Sequence, residues 1–314
     1  MADGPTAADP GTIAGTTTGA LTTGTTTVTT RPPPGGLPQV SGFAQALGSL
    51  GLSLTNLDES QGVEAAVPGG VVFDTYRFSH HAAECAYFIN VPVAKCHNLS
   101  CTTLCTKNIQ GTVLSPQRHL CSIQEGDEPL AGDLDQLTET GLSLHEDRFC
   151  HKHADLVSAR QRLGAPRLCV IDGLVGRDGT GFRHGDNRPM GWTLIGENEI
   201  RVDAVGTYLM GLDPEAVPYL KVAAARGLGT HRIDEIEVVD LATGQELDRE
   251  ALGKHRMDPP LMPLARYQDG YYARFRPDGS VVPWNIDCVN EQLIAEGKEP
   301  VLFDGITGDM TEGF

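Results

Sequence analysis

Long hydrophobic runs are missing from this chain, and so is any excess of basic charge. No apolar stretch approaches the ~20 residues a membrane-spanning helix needs, so no membrane partner is expected. No basic start leads into an apolar core at the N-terminus, so no secretory signal is visible and a cytoplasmic location is expected. Lys and Arg number 24 against 41 Asp and Glu, giving a net charge of −17. Such an acidic protein repels phosphate backbones, which argues against a nucleic-acid partner. Eight cysteines in 314 residues are too few for a disulfide scaffold. The phosphate-loop pattern G-x-x-x-x-G-K-[ST] and the dinucleotide pattern G-x-G-x-x-G are both absent, and no repeat of 20–50 residues is visible. The length still allows one large or two small domains with a real core.

Residues 1–42 form a low-complexity arm dominated by Thr, Gly and Pro, with Pro32-Pro33-Pro34 near its exit. So few large apolar groups cannot offset the ordering entropy of the segment, and disorder is expected. The alternative is an extended Thr-rich edge that orders only against a second chain, which would make the arm a device for self-association.

From residue 43 onward, strand and helix patterns alternate. A short helix is expected near 44–51 and a strand over 52–58. Further strands are expected within 67–78, 85–91, 167–172, 192–196 and 234–240, and helices over 98–108, 144–164, 199–210 and 214–226. The second member of the last pair is expected to start behind Asp213-Pro214. This alternation predicts an α/β fold: a mostly parallel sheet with helices on both faces, with 85–91, 167–172 and 234–240 in one sheet. That domain spans 43–253. Residues 254–314 read as a C-terminal appendage with a hairpin around Pro277-Asp278-Gly279 and a short helix after it.

The densest chemistry lies in residues 87–111, YFINVPVAKCHNLSCTTLCTKNIQG. If 98–108 is helical, His97, Cys101 and Cys105 fall within about 80° of arc. Cys96 adjoins them, and a fourth ligand could come from Cys85, Cys121 or Cys150. Thiolates with an imidazole suit soft ions and iron–sulfur clusters, so Cys96, Cys101, Cys105 and His97 are the candidate metal ligands. The spacing is not that of a zinc ribbon or a standard ferredoxin, and the competing reading makes these cysteines small core residues. Lys95 and His97 stand just beyond a strand end, where a lysine can hold an anion and a histidine can act as acid, base or ligand. The plainer role for His97 is to tie down its loop by hydrogen bonds. The glycine-rich loop 172–186 offers Asp172, Asp178, Arg183 and His184 for an anion or metal. Its Gly179 and Gly181 would let backbone approach a cofactor. Asp203 opens a helix, where it could simply favour the dipole. His145, Cys150, His151 and His153 read as scattered surface residues, because 151 and 153 cannot share a helical face.

The pattern N-x-P-x-x-K-x-H followed by T-L-x-x-K-N-x-x-G falls on Asn90, Pro92, Lys95, His97, Thr103, Leu104, Lys107, Asn108 and Gly111. With Asp172-Gly173-Leu174-Val175, Asp203-Ala204-Val205 and the later Gly211-Leu212-Asp213-Pro214, it resembles the DUF362 family over about residues 43–240. That family is a domain of unknown function, sometimes joined to ferredoxin-type iron–sulfur modules. The family pattern requires the histidine but not the cysteines, and its usual first β-α unit is not found in residues 1–42. The resemblance implies an uncharacterised protein with metal- or iron–sulfur-dependent redox chemistry in a crevice walled by 93–108 and 172–186. Lys95, His97, Asp172 and Asp203 would be its catalytic group, with an iron–sulfur cluster or a divalent transition metal as cofactor and a small anionic molecule as ligand. The rival is a non-catalytic binding or assembly protein on the same scaffold.

Overall fold

A computed structural model describes residues 42–115, 117, 124–125, 128–129, 136–181, 184–267 and 270–301. The Thr-rich arm up to residue 41, Cys121 and Arg183 lie outside the described residues. The chain divides into two compact units, Met1–Asn56 and Leu57–Phe314.

In the first unit, α1 (Phe43–Ser49) forms where expected, and Gly51 with φ +71° ends it. The expected strand at 52–58 is not formed: 52–56 has no strand pairing, and 57–59 in the second unit is a single 3-10 turn.

The second unit opens with an antiparallel ribbon of β1 (Gly62–Ala66) and β2 (Thr75–Ser79), which runs directly into the short α2 (His80–Ala83). Next come β3 (Phe88–Asn90) and β4 (Val93–His97), two halves of one line interrupted at Pro92. A proline cannot donate to a ladder, but its carbonyl can accept, and that of Pro92 takes the amide of Asp172 at 2.9 Å. β5 (Cys101–Thr103) folds back antiparallel on β4, pairing His97 with Cys101, and leads into α3 (Cys105–Asn108). A two-residue ribbon, β6 (Gln124–Glu125) with β7 (Glu128–Pro129), precedes the long α4 (Leu144–Arg162), whose Ser143 side chain accepts the amide of Glu146 as an N-cap.

β8 (Arg167–Arg177) is the centre of the main sheet. β3 and β4 pair with it in parallel, and β9 (Asn187–Gly196) pairs with it antiparallel. The sheet is therefore mixed, which corrects the expectation of a mostly parallel one. The physical reason is that loop 178–186 returns the chain as a hairpin instead of a helical crossover. α5 (Glu199–Leu209) seats on β8 through Gly206, where an added Cβ would stand 2.9 Å from Ile171 Cδ1. The opposite sheet face leaves Ile89, Val93 and Ile195 exposed.

Three further expectations are corrected. Residues 98–107 are not one helix. Asn98-Leu99-Ser100 makes a three-residue hairpin loop, Cys101 takes a left-handed φ of 64°, and β-branched Thr102 and Thr103 continue the strand. Residues 234–240 do not join the main sheet. Ile233–Glu235 is a 3-10 turn, and β10 (Val239–Asp240) pairs only with β11 (Gln245–Glu246). The Asp240 carboxylate turns the chain there, accepting from the amide of Ala242 and the hydroxyl of Thr243. Finally, α6 (Pro218–Ala225) starts at Pro218, because Asp213 spends its side chain on the amide of Glu215 in a tight turn. α7 (Arg249–Gly253), the hairpin β12 (Leu264–Tyr267) with β13 (Gly270–Ala273), and α8 (Ile286–Ala295) complete the unit.

Candidate functional site

The β4–β5 hairpin places His97 directly before its loop, and the imidazole folds back over it. Nδ1 accepts the amides of Leu99 at 3.0 Å and Ser100 at 3.3 Å. A nitrogen that accepts twice carries no proton, so the neutral ring holds its proton on Nε2. The ring stacks on Phe149 of α4, with centroids 5.8 Å apart. Burial first, then the charge of Lys107, pushes its pKa well below the ordinary histidine value. His97 thus does tie down its loop, and Nδ1 is not available to a metal.

Two residues earlier, Lys95 is half-buried. Burial and then the neighbouring Lys107 ammonium lower its pKa. Among the described residues, Lys95 has no hydrogen-bond or ion-pair partner. Lys107, on α3, holds its ammonium 5.9 Å from the centre of the Phe149 ring.

His153 corrects the expectation of a scattered surface group. It is fully buried on α4, edge-to-face with Phe149 at 4.4 Å and with Tyr219 at 5.5 Å. Among the described residues, neither of its ring nitrogens has a hydrogen-bond partner. Burial, then Lys107 and Lys152, drives its pKa well below the usual value. His145 and Cys150 are buried on the same helix, while His151 is partly exposed. The 145-149-153 spacing of His, Phe and His marks one helix face, and that signal was present in the sequence.

Asp203 is also buried, but its carboxylate is occupied. It accepts the amides of Cys105 at 2.8 Å and Thr106 at 2.9 Å, and the Tyr219 hydroxyl at 3.2 Å. Burial pushes its pKa up to about 6. This clamp fastens α5 to the start of α3. The motif asparagines hold α3 from the other end: Asn90 donates to the Cys105 carbonyl at 2.8 Å and accepts from Asn108 at 2.7 Å.

The two expected walls do meet. Gly181, at φ +79°, lies against the Cys96 carbonyl, and an added Cβ would stand 3.7 Å from Lys95 Cγ. Gly179 likewise packs on the backbone of His184 and Gly185, so the close approach each glycine permits is to protein. Asp178 braces the loop by accepting the Asp186 amide at 2.6 Å and pairing with Arg188 at 3.3 Å. Asp172 turns back to the amide of Leu174 and does not join Lys95 or Asp203.

The three motif cysteines are not brought together. Cys96 and Cys105 pack with Cys169, Ile171 and Met210 in one apolar cluster, whereas Cys101 packs with Cys150 in another. Burial raises all three thiols, Cys101 to about 12, and so favours the protonated form. Among the described residues no group of three or more His, Cys, Asp and Glu could hold a metal ion. Cys96, Cys101, Cys105 and His97 therefore do not fit an iron–sulfur cluster or a divalent metal as one ligand set. What converges instead is basic: Lys107 acts on Lys95, His97 and His153, and none of the acids among the described residues pairs with Lys95.

A family model described as "Domain of unknown function (DUF362)" matches residues 13–208. A thylakoid-associated protein from Synechocystis sp. is 26% identical over 157 residues, which is 50% of this chain and 42% of that protein. The chain thus aligns with less than half the length of that relative. No solved structure matches. Among the described residues, no helix is long and apolar enough to cross a membrane.

Proposed function

The chain belongs to the DUF362 family, and from that premise we propose that it binds a small anionic molecule, bearing a carboxylate or phosphate group, beside β4 and α3. One observation carries this reading: a half-buried lysine without a partner stands near a second lysine, which in turn lies near a fully buried imidazole with both nitrogens unsatisfied. Holding like charges together out of water is costly, and so is burying an unsatisfied polar ring. An anion would offset both costs. Lys95 would bind it as a point charge. His97, fixed in one tautomer by its loop, would orient the site. His153 would donate to it from one ring nitrogen.

The test uses inorganic phosphate and a series of small mono- and dicarboxylates, read by calorimetry and thermal unfolding at constant ionic strength. Saturable binding in the wild type, weakened at least about tenfold in Lys95→Gln, supports the reading. Stabilisation that never saturates, or that Lys95→Gln leaves unchanged, ends it.

The rival assembly reading also has a specific observation in its favour, the apolar sheet face with Ile89 58% and Val93 46% exposed. In that reading a second copy covers the face, and Ile89→Lys would turn a dimer into a monomer in light scattering. A wild type that is already monomeric at micromolar concentration would remove it.

A further inference from the structure

A second polar anomaly lies away from the lysines, at the far end of α4. Arg160 is 1% exposed, yet among the described residues its Nε and Nη1 have no hydrogen-bond partner. Its guanidinium sits over Phe88, with Cζ 4.1 Å from the ring centre. The acid within reach, Glu199, is already held by Arg167 at 3.0 Å. The remaining nitrogen, Nη2, stands 3.7 Å from Cys85 Sγ. Cys85 differs from its fellows: it is partly exposed, whereas the other six described cysteines are all buried, and all seven are free thiols. Its thiol donates to the Ala82 carbonyl at 3.2 Å. The sulfur of a partly exposed cysteine thus faces a buried cation with donors to spare.

We propose that Cys85 is an oxidant-sensitive thiol that hydroperoxides convert to a sulfenic acid, with Arg160 stabilising both the thiolate and the oxygen it receives. The thiol first gives its proton to water. The thiolate then attacks the distal oxygen of the hydroperoxide: the S–O bond forms, the O–O bond breaks, and the alkoxide or hydroxide leaves and takes up a proton. Sulfur is oxidised by two electrons and the peroxide is reduced by two. A cation beside the sulfur favours the thiolate, which is the nucleophile. The new oxygen supplies an acceptor beside a guanidinium whose Nε and Nη1 lack one, and a charge-assisted bond there holds the product. This site is independent of the anion site, since it shares no residue with it.

The experiment uses the reduced full chain, limiting hydrogen peroxide and then dimedone, with peptide mapping by mass spectrometry. In the native protein Cys85 is expected to be labelled about tenfold faster than the same cysteine in chain unfolded by guanidinium, and faster than Cys96, Cys101, Cys105, Cys150 and Cys169. Arg160→Met should slow the dimedone labelling of Cys85, and Arg160→Lys should restore part of the rate. If Arg160→Met does not fold, the native-against-unfolded comparison still decides. Labelling of Cys85 no faster in the native protein than in the unfolded chain overturns the proposal, as does a labelling rate that Arg160→Met leaves unchanged.

Discussion

Three buried polar centres on helix α4, two acidic and one basic, are balanced in opposite ways. At one, Glu146 pairs with Arg274 and also accepts the Trp284 amide at 3.0 Å, both side chains being fully buried. Further along the same helix, Asp155 accepts the amides of Val71 and Val72 and pairs with Arg226 at 2.7 Å. These acids reach distant segments of the chain and are saturated by them. At the third centre His153 has no hydrogen bond at all among the described residues, and elsewhere Lys95 has no acid partner. The difference separates two uses of buried polarity. A saturated acid holds the fold together, while an unsatisfied base marks a place where something else belongs.

The comparison breaks most visibly if a saturated centre is opened. Arg274→Met strands the Glu146 carboxylate, and a loss of about 3–5 kcal/mol in urea unfolding is expected. The double variant Glu146→Gln with Arg274→Met should recover part of that loss; no recovery would mean that shape, not charge, is what matters there.

Asp203 gives the next largest effect, through pH. Its folded pKa of about 6 lies above the ordinary value of 3.8, so the folded state holds the proton more tightly than the unfolded one. The resulting stabilisation is fully present below about pH 4 and is lost as pH rises through 6. Relative to Asp203→Asn, the wild type should lose about 3 kcal/mol between those limits. Parallel stability profiles for the two proteins would contradict the assignment.

Gly181→Ala forces a side chain onto the Cys96 carbonyl at a left-handed backbone position. It should cost more than about 1 kcal/mol and weaken phosphate binding by parting the two walls. Unchanged phosphate affinity would detach the loop from the site. The smallest stability effect, and the sharpest contrast with Glu146, is expected at His153. His153→Leu should shift stability by less than about 1 kcal/mol, because an apolar group replaces one with no bonds to lose. Phosphate affinity should nonetheless fall about tenfold. A stability loss like that of Arg274→Met would put His153 among the structural groups.

Sequence patterns located the main strands and the long helices, since Phe88–Asn90, Arg167–Arg177 and Leu144–Arg162 are bounded by clear turn and cap signals. They misjudged 98–108 because the four-residue steps of His97, Cys101 and Cys105 imitate a helix. The threonines and a left-handed residue argued for a hairpin, and hairpin register is decided by backbone pairing that a list of spacings does not contain. The sheet's direction was missed for a related reason: whether loop 178–186 turns back or crosses over depends on contacts such as Gly179 with Met262, far away in sequence. Lys95 and His97 were expected just beyond a strand end, but both lie within β4, His97 at its last position. His153 was not legible, because its neighbour His151 is partly exposed and the two were weighed together. Asp172 was included for its type, and its carboxylate is engaged by its own turn.

The left-handed residue at the end of the hairpin loop sets what variation position 101 tolerates. Cys101 is fully buried at φ 64°, a conformation that suits glycine best, asparagine and aspartate next, and β-branched residues worst. A saturation library at this position should therefore be filtered by backbone shape as well as by size. Glycine should survive, while valine and isoleucine should be lost although they are apolar enough for the surrounding cluster. A library that instead accepted only thiol or imidazole side chains would reveal selection for chemistry at a place where the geometry shows selection for a bend.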